Sequence, residues 1–216
     1  EQIYFMFLDE PIISCSIDRN YLAFTGHSDG TINAINIPTN QKVAIGKHEA
    51  AVRDVYWVEQ LGALMSLGFD NKIHFWKMDN IMIPVQTVTL PAKTVVSAFD
   101  YPYLLIVSNE EKFCIVRVDN LTNIGTPKYY ESQLGLHSKT LSADVNGNAK
   151  SWLLASTDGR ANFGYFNDLG VNVDCSNNIV CFKAQKKDEY NKSSYYQVNV
   201  CRFYTRKADV IWVGGG

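Results

Sequence analysis

The sequence predicts an all-β fold made of repeated units, and three observations support this prediction. Helical periodicity is almost absent from the 216 residues. Short apolar runs with period-2 alternation are separated by turn sequences such as HSDGT and STDGR, a pattern typical of strands joined by tight turns. The third observation is a recurring segment in which an acidic turn residue leads into a strand-like run. This segment occurs at residues 28–37, 69–78, 108–118 and 157–166.

The spacing of these segments, about 40 to 47 residues, is typical of the four-stranded blade of a β-propeller. We therefore expect residues 1–216 to form a single β-propeller domain that is incomplete, with about four and a half blades out of roughly seven. The last blade is expected to begin with the sequence IVCFKAQKK. The expected blade cores are residues 11–37, 50–78, 94–118, 139–166 and 179–216.

One unit is complete enough to indicate the type of blade. His48 precedes a strand, and Ser66 lies within the next strand. Asp70 occupies a tight turn, and Trp76 ends the strand that follows it. WD-repeat blades bury these four residue types as a hydrogen-bonded chain, because a carboxylate orients the imidazole and an indole N–H supplies the far end. The sequence therefore predicts a WD-repeat propeller in which these four residues are structural rather than ligand-binding.

The other units lack parts of this chain. In the first unit His27 lies beside Asp29, but no tryptophan follows. We expect Val118 at the tryptophan position of the third unit, and the fourth unit ends in Phe166. Such losses are tolerable because packing between neighbouring repeats supplies most of the stability of a repeat fold.

Composition and charge exclude several classes of protein. The chain is 46% hydrophobic with a net charge of −2, which is ordinary for a globular domain and does not by itself indicate a nucleic-acid or membrane partner. No apolar run approaches the ~20 residues that span a bilayer, so we expect no membrane insertion. The five cysteines are odd in number and irregularly spaced, which argues against a disulfide framework or a zinc site and favours a reducing compartment.

No arrangement of residues predicts catalysis. His27, His74 and His137 have no metal-ligand partners at useful spacing, and no Ser-His-Asp or Cys-His arrangement is recognisable. The GGG at residues 214–216 is not followed by a helix or a lysine, unlike a phosphate-binding loop. We therefore expect a non-enzymatic protein with no cofactor and no metal.

Several segments in order resemble a known family. HEAAVRDVYW, FDNKIHFW, YYESQLGLHSKT, STDGRANFGYF, CFKAQKK and YYQVNVCRFY are similar to consecutive blades of the WD-repeat poly(A) RNA export proteins of the nuclear pore. The mitotic spindle checkpoint WD-repeat proteins form a related branch. The stretch LPAKTVVSAFDYPYLLIV resembles the export branch more closely, whereas Ala51 and residues 136–139 and 184–186 depart from the family pattern.

The resemblance implies a function and a site. Members of both branches clamp a hairpin peptide, the GLEBS motif, which comes from a nucleoporin in the export branch and from checkpoint kinases in the other. Basic side chains of the propeller meet acidic residues of that peptide. By their positions in the family motifs, Arg160 and Lys183 are the leading peptide-binding candidates and Lys139 is a further one. The implied location is the nucleus, the nuclear pore and the cytoplasm.

Residues 181–207 are the one charge anomaly. This segment holds seven basic and two acidic residues, a net charge of +5, whereas the rest of the chain carries −7. Aromatic residues are interleaved with the basic ones, a combination that suits single-stranded RNA through phosphate pairing and base stacking. The nucleic-acid-binding candidates are Phe182, Lys183, Lys186 and Lys187. The alternative, a solvated loop whose lysines confer solubility, stays open.

Overall fold

The computed structural model describes residues 10–79, 81–134, 138–176, 179–184, 196–204 and 211–215. Twenty β-strands and one 3₁₀ turn, Glu59–Leu61, make up its regular structure, so the all-β prediction is confirmed. The chain divides into two compact units, residues 1–94 and 95–216. The described part of the chain contains no helix that is both long enough and apolar enough to cross a membrane.

The first unit contains two four-stranded antiparallel sheets. In each sheet the strands lie in the order in which they occur in the chain. The first sheet consists of β1 (Ile12–Ile17), β2 (Leu22–His27), β3 (Thr31–Asn36) and β4 (Gln41–Lys47). The second sheet consists of β5 (Val52–Val58), β6 (Ala63–Gly68), β7 (Lys72–Trp76) and β8 (Gln86–Thr89).

The second unit contains a third sheet, a fourth sheet and two strand pairs. The third sheet consists of β9 (Thr94–Asp100), β10 (Tyr103–Ser108), β11 (Lys112–Arg117) and β12 (Tyr130–Glu131). The fourth consists of β13 (Thr140–Asn146), β14 (Ser151–Ser156), β15 (Arg160–Tyr165) and β18 (Val180–Lys183). The two pairs are β16 (Asn167–Asp168) with β17 (Val173–Asp174), and β19 (Val198–Phe203) with β20 (Ile211–Gly215).

The order of strands in the fourth sheet differs from the sequence-based expectation. Residues 180–183 were expected to begin a fifth blade, but β18 pairs with β15 and is the outer strand of the fourth sheet. The reason is an insertion, the β16–β17 hairpin, which lies between the third and fourth strands of this sheet. The insertion lengthens the unit beyond the regular spacing and moves its last strand to where the next unit was expected.

The four acidic turns share one backbone conformation. Asp29, Asp70 and Asp158 each accept, through Oδ1, the N–H of the residue two positions later, at 2.9, 3.2 and 3.2 Å. This bond is the reason that aspartate is favoured in such turns. In each of the four turns the residue after the acid has positive φ, a conformation that favours glycine and asparagine. These residues are Gly30, Asn71, Glu111 and Gly159.

The register of the sheets corrects one expectation. Trp76 lies opposite the second residue of the preceding strand, and at this position the third sheet has Val116, not Val118. The prediction of Val118 was wrong, because Trp76 lies six residues after Asp70 and the residue six positions after Glu110 is Val116. The fourth sheet has Gly164 at this position, opposite Trp152. A Cβ on Gly164 would come within 2.7 Å of the Trp152 ring, so a tryptophan packs here from the neighbouring strand.

Hydrophobic clusters lie between successive sheets within each unit. Between the first and second sheets, the buried side chains include Phe24, Ile32, Val55 and Trp76. Side-chain oxygens on the first strand of one sheet also accept backbone N–H groups from the first strand of the next sheet. Val55 donates to Ser14 and Trp57 donates to Ser16, both at 3.1 Å. Cys201 donates to Ser142 at 3.2 Å, and Phe203 donates to Asp144 at 2.7 Å. These bonds recur at alternate residues, as expected for side chains on one face of a strand.

Candidate functional site

The second sheet contains a buried hydrogen-bonded chain made of the four predicted tetrad residues. The indole Nε1–H of Trp76 donates to Ser66 Oγ at 2.8 Å, and Ser66 Oγ lies 2.8 Å from His48 Nε2. His48 Nδ1 lies 3.0 Å from both carboxylate oxygens of Asp70. Because a carboxylate only accepts, Nδ1 of His48 carries the proton and Ser66 donates to Nε2. Every side-chain polar atom of this hydrogen-bonded tetrad therefore has a partner within the protein, and no ligand is needed.

The surroundings of His48 in the tetrad keep its imidazole neutral. Burial lowers the pKa of His48 below its usual value, although Asp70 opposes this effect. Burial alone would raise the pKa of Asp70, but His48 and the backbone N–H groups of Glu49 and Lys72 lower it overall. Asp70 is therefore a carboxylate at neutral pH, and it orients the imidazole.

His74 lies beside this chain, a placement that the sequence did not predict. Its ring centroid is 4.4 Å from that of His48, and its Nδ1 lies 2.8 Å from Thr87 Oγ1. Burial, followed by the neighbouring His48, lowers the pKa of His74 to about 4. Ligand atoms of His48, Asp70 and His74 lie within 4.8 Å of one another. The hydrogen bonds to Ser66 and Thr87 account for these positions, so the cluster has a structural explanation that needs no metal ion.

The three predicted peptide-binding residues converge on one turn of the fourth sheet, residues 157–159. Arg160 begins β15 directly after this turn, and its partner on β18 is Lys183. The backbone of Lys139 is bonded to Thr157, which donates its N–H to the Lys139 carbonyl at 3.0 Å and accepts the Lys139 N–H through Oγ1 at 2.9 Å. We call Lys139, Arg160 and Lys183 the basic cluster.

The basic cluster is accessible to a partner. Lys139 and Lys183 are exposed, and the Arg160 side chain is 40% exposed. Arg160 lies 3.4 Å from Asp158 through its Nε. Two like charges directly opposite each other on neighbouring strands are unfavourable, and an acidic ligand between them would offset that effect. An arginine can also form a bidentate, directional pair with a carboxylate.

Two further residues extend the cluster towards the interior, and the sequence analysis missed them. Asn162 and Cys181 lie opposite each other in the register, two residues from Arg160 and Lys183, and therefore on the same face of the sheet. Asn162 is fully buried, and neither amide atom has a hydrogen-bond partner among the described residues. Burial raises the pKa of the Cys181 thiol although Arg160 opposes this, so the thiol is neutral. Their position, two residues from Arg160 and from Lys183 along each strand, was the sequence signal that could have identified them.

The nucleic-acid-binding candidates are only partly within the described residues. Phe182 packs against the hydrophobic cluster that contains Leu153 and Phe203, on the opposite face of the sheet from Lys183. Lys186 and Lys187 lie outside the described residues. In the basic segment the structure describes residues 181–184 and 196–204, so the predicted stacking and phosphate contacts stay predictions.

Comparison with known proteins gives distant relatives, and no family model matches the chain. The poly(A)+ RNA export protein of Schizosaccharomyces pombe is 23% identical over 90% of this chain and 53% of the relative. The mRNA export factor rae-1 of Caenorhabditis elegans is 26% identical over 94% of this chain and 56% of the relative. The spindle assembly checkpoint protein bub3 of Schizosaccharomyces pombe is 20% identical over 96% of this chain and 62% of the relative. The chain thus spans little more than half the length of the export relatives.

Solved structures identify the fold. The Cps50 (Swd1) β-propeller domain of Myceliophteria thermophila has a TM-score of 0.70 at 13% identity, over 97% of this chain and 64% of that domain. A chain of the mitotic checkpoint complex has a TM-score of 0.65 at 15% identity, over 93% of this chain and 59% of that chain. These matches confirm the predicted β-propeller fold. The relatives are named for export and checkpoint roles and not for a catalysed reaction, in agreement with the expectation of a non-enzymatic scaffold.

Proposed function

Since the chain is a distant homologue, over most of its length, of the poly(A)+ RNA export and bub3 checkpoint WD-repeat proteins, we propose that it binds a GLEBS-type nucleoporin peptide. In this role it is a scaffold that supports mRNA export through the nuclear pore, in the nucleus and the cytoplasm. The observation that carries the proposal is the convergence of Lys139, Arg160 and Lys183 on one turn. These three residues are far apart in sequence, their backbones lie at one turn, and each side chain is at least partly exposed.

The mechanism of binding is charge pairing on a rigid platform. Strand pairing holds the Cα atoms of Arg160 and Lys183 opposite each other, so both cationic side chains extend from an ordered backbone towards the acidic side chains of the peptide. Preorganised partners lose less conformational entropy on binding than flexible ones. Because all three cations lie at the surface, salt should weaken the interaction by screening.

The proposal is tested by titrating the protein calorimetrically with a nucleoporin GLEBS peptide, alongside the variants Arg160→Glu and Lys183→Glu. Each charge reversal is expected to weaken binding by about tenfold or more, because a favourable charge pair becomes a repulsive one and about 1.4 kcal/mol corresponds to a factor of ten. Lys150→Glu is the matched control, since this lysine is also exposed but precedes β14 at the opposite end of the sheet.

The outcomes separate the function from its residues. If the wild-type protein binds and both cluster variants bind equally well, the peptide-binding function stands and the basic cluster is not its site. If the folded wild-type protein does not bind the peptide, the proposed function is wrong. A checkpoint-kinase GLEBS peptide that binds much more tightly than the nucleoporin peptide would assign the chain to the checkpoint role, which the bub3 relative makes the second candidate.

Direct RNA binding through residues 181–207 is a further candidate, and its charge of +5 is the observation that favours it. A titration with single-stranded RNA at increasing salt tests it. Binding that weakens steeply with salt, and that Lys186→Glu with Lys187→Glu reduces, would support this candidate. RNA binding that neither salt nor these substitutions change would reject it.

A further inference from the structure

The third sheet has an incomplete outer edge, and its geometry points to a second binding site. Its outer strand, β12, pairs with only two residues of β11, Lys112 and Phe113. In the second sheet the outer strand β8 pairs with four residues of β7, Lys72–Phe75. Among the described residues, therefore, no strand pairs with the outer side of the remaining part of β11, residues 114–117.

The register shows which backbone groups this leaves open. Val118 donates its N–H to Pro102 on the inner side of the sheet. Because successive residues of a strand direct their N–H and C=O groups to alternate sides, Ile115 and Arg117 direct theirs to the outer side. No backbone or side-chain partner for these groups of Ile115 occurs among the described residues. In the second sheet the corresponding residue, Phe75, is paired with Gln86.

A proline occupies the position at which the second sheet makes an additional outer-edge bond. In the second sheet Val85 also donates its N–H to the Phe75 carbonyl at 2.8 Å. Counted from the paired residues Val88 and Tyr130, the equivalent of Val85 is Pro127. Proline has no N–H and restricts φ to about −65°. Pro127 therefore cannot make the bond that Val85 makes to β7, so the Ile115 carbonyl lacks that donor.

A cavity of about 470 Å³ lies beside this open edge. Ile115 and Val116 line one side of it, and residues 125–128 line another. The exposed side chains of Leu169 and Val171, on the β16–β17 hairpin, also line it. Its volume is within the range of ligand-binding clefts, and both apolar and polar residues line it.

The hairpin that forms this wall is firmly attached to the third sheet. Arg117 donates to both oxygens of Asp168, at 3.0 and 2.9 Å, and the Tyr103 hydroxyl also donates to Asp168. At the other end of the hairpin, the Tyr130 hydroxyl donates to Asp174 at 2.9 Å. Both ends of the wall are anchored, so the cavity is formed without a ligand.

The charges at the rim indicate the chemistry of the occupant. Asp174 is already engaged by Tyr130 and by the Ser176 hydroxyl at 2.9 Å. Lys128 is 69% exposed, and its Nζ lies 4.0 Å from Asp174 and 5.0 Å from the centre of the Tyr130 ring. The ammonium group therefore has donor capacity for an acidic partner.

We propose that the outer edge of β11 binds an extended peptide segment of a partner protein by β-strand addition. The peptide pairs its backbone with Ile115 and Arg117, places an apolar side chain in the cavity, and brings an acidic residue to Lys128. Peptide recognition at an open sheet edge derives affinity from backbone hydrogen bonds and specificity from side-chain pockets. This site is separate from the basic cluster and does not depend on the function proposed for it.

Amide hydrogen exchange, followed by NMR on the whole chain, tests whether the edge is open. The Ile115 amide is expected to exchange at least about tenfold faster than the Phe75 amide, since about 1.4 kcal/mol of protection is a factor of ten. A capped hexapeptide of alternating valine and threonine with one glutamate is expected to slow the Ile115 amide at saturation. An Ile115 amide as protected as that of Phe75 in the free protein would overturn the proposal.

Matched probes test the two contacts. The same hexapeptide with N-methylated residues on its pairing edge is expected to bind about tenfold or more weakly, because it loses its backbone donors. The hexapeptide with lysine in place of glutamate is expected to bind more weakly than the parent, because it repels Lys128. Equal binding of the parent and the N-methylated peptide would overturn strand addition.

A substitution in the protein provides a further test of strand addition at this edge. Pro127→Val restores the N–H that Val85 donates in the second sheet, so the chain's own outer strand is expected to cover the edge and binding to fall about tenfold or more. Pro91→Val, at an exposed proline outside the cavity, is the control and is expected to bind like the wild type. Unchanged hexapeptide binding by folded Pro127→Val would contradict the proposal.

Discussion

Replacing Trp76 with alanine is expected to lower the free energy of unfolding by about 3–5 kcal/mol, the usual cost of removing a buried aromatic side chain. The Trp76 ring is 2% exposed and covers Gly46, where a Cβ would come within 2.2 Å of the ring. The substitution leaves a cavity between the first and second sheets. It also removes the indole donor from Ser66. Urea unfolding followed by far-UV circular dichroism measures the loss.

Trp212→Ala is the matched control for this prediction. Trp212 is 63% exposed, so removing the same side chain there is expected to change the free energy of unfolding by less than about 1 kcal/mol. Similar losses in both variants would mean that the tetrad tryptophan is no more important for stability than an exposed one. A Trp76→Phe variant helps to separate the two contributions, because it keeps most of the packing but removes the indole N–H.

Acidification from pH 7.5 to 4.5 is expected to destabilise the protein by about 2–3 kcal/mol through His74 alone. The pKa of His74 is lowered from 6.5 to about 4 in the folded protein, so the unfolded chain binds a proton first. Stability is therefore retained above pH 6.5 and lost as the pH falls from 6.5 towards 4. The pKa of His48 is also lowered, which acts in the same direction. Asp70 and Glu49 partly oppose these shifts, whereas Lys72 adds to them.

The variant His74→Asn tests this assignment, because asparagine fills the corresponding third position of β3 and β15, at Asn33 and Asn162. Its urea unfolding free energy is expected to fall by about 2–3 kcal/mol less than that of the wild type over the same pH range. An equal pH dependence in the two proteins would show that His74 does not cause the acid sensitivity.

Local sequence signals predicted much of this structure. The alternation of apolar and polar residues predicts the strands, and the acidic turns predict the hairpins between second and third strands. Both signals act within a few residues, since an aspartate accepts the N–H two positions later and the intervening residue takes a left-handed conformation. The four tetrad residues were also recognisable, because their spacing places them at fixed positions of consecutive strands.

Contacts between distant residues were less predictable. Strand pairing gives the tryptophan position of the third unit to Val116, not to Val118. The turn aligns Glu110 with Asp70, since Glu111 is the residue with positive φ. Residues 180–183 were assigned to the wrong sheet, because an inserted hairpin separates them from β15.

The strands, the turns, the repeat and the residues of the buried tetrad could be predicted from the sequence, because each depends on interactions between residues near in sequence or on a regular spacing. The pairing of Arg160 with Lys183, the contact between the His48 and His74 rings, and the lack of a strand opposite Ile115 among the described residues became known only from the assembled sheets. These features depend on strand register and on packing between elements far apart in the chain. Local propensity does not specify either of them, so the two candidate binding surfaces become visible only when the sheets are assembled.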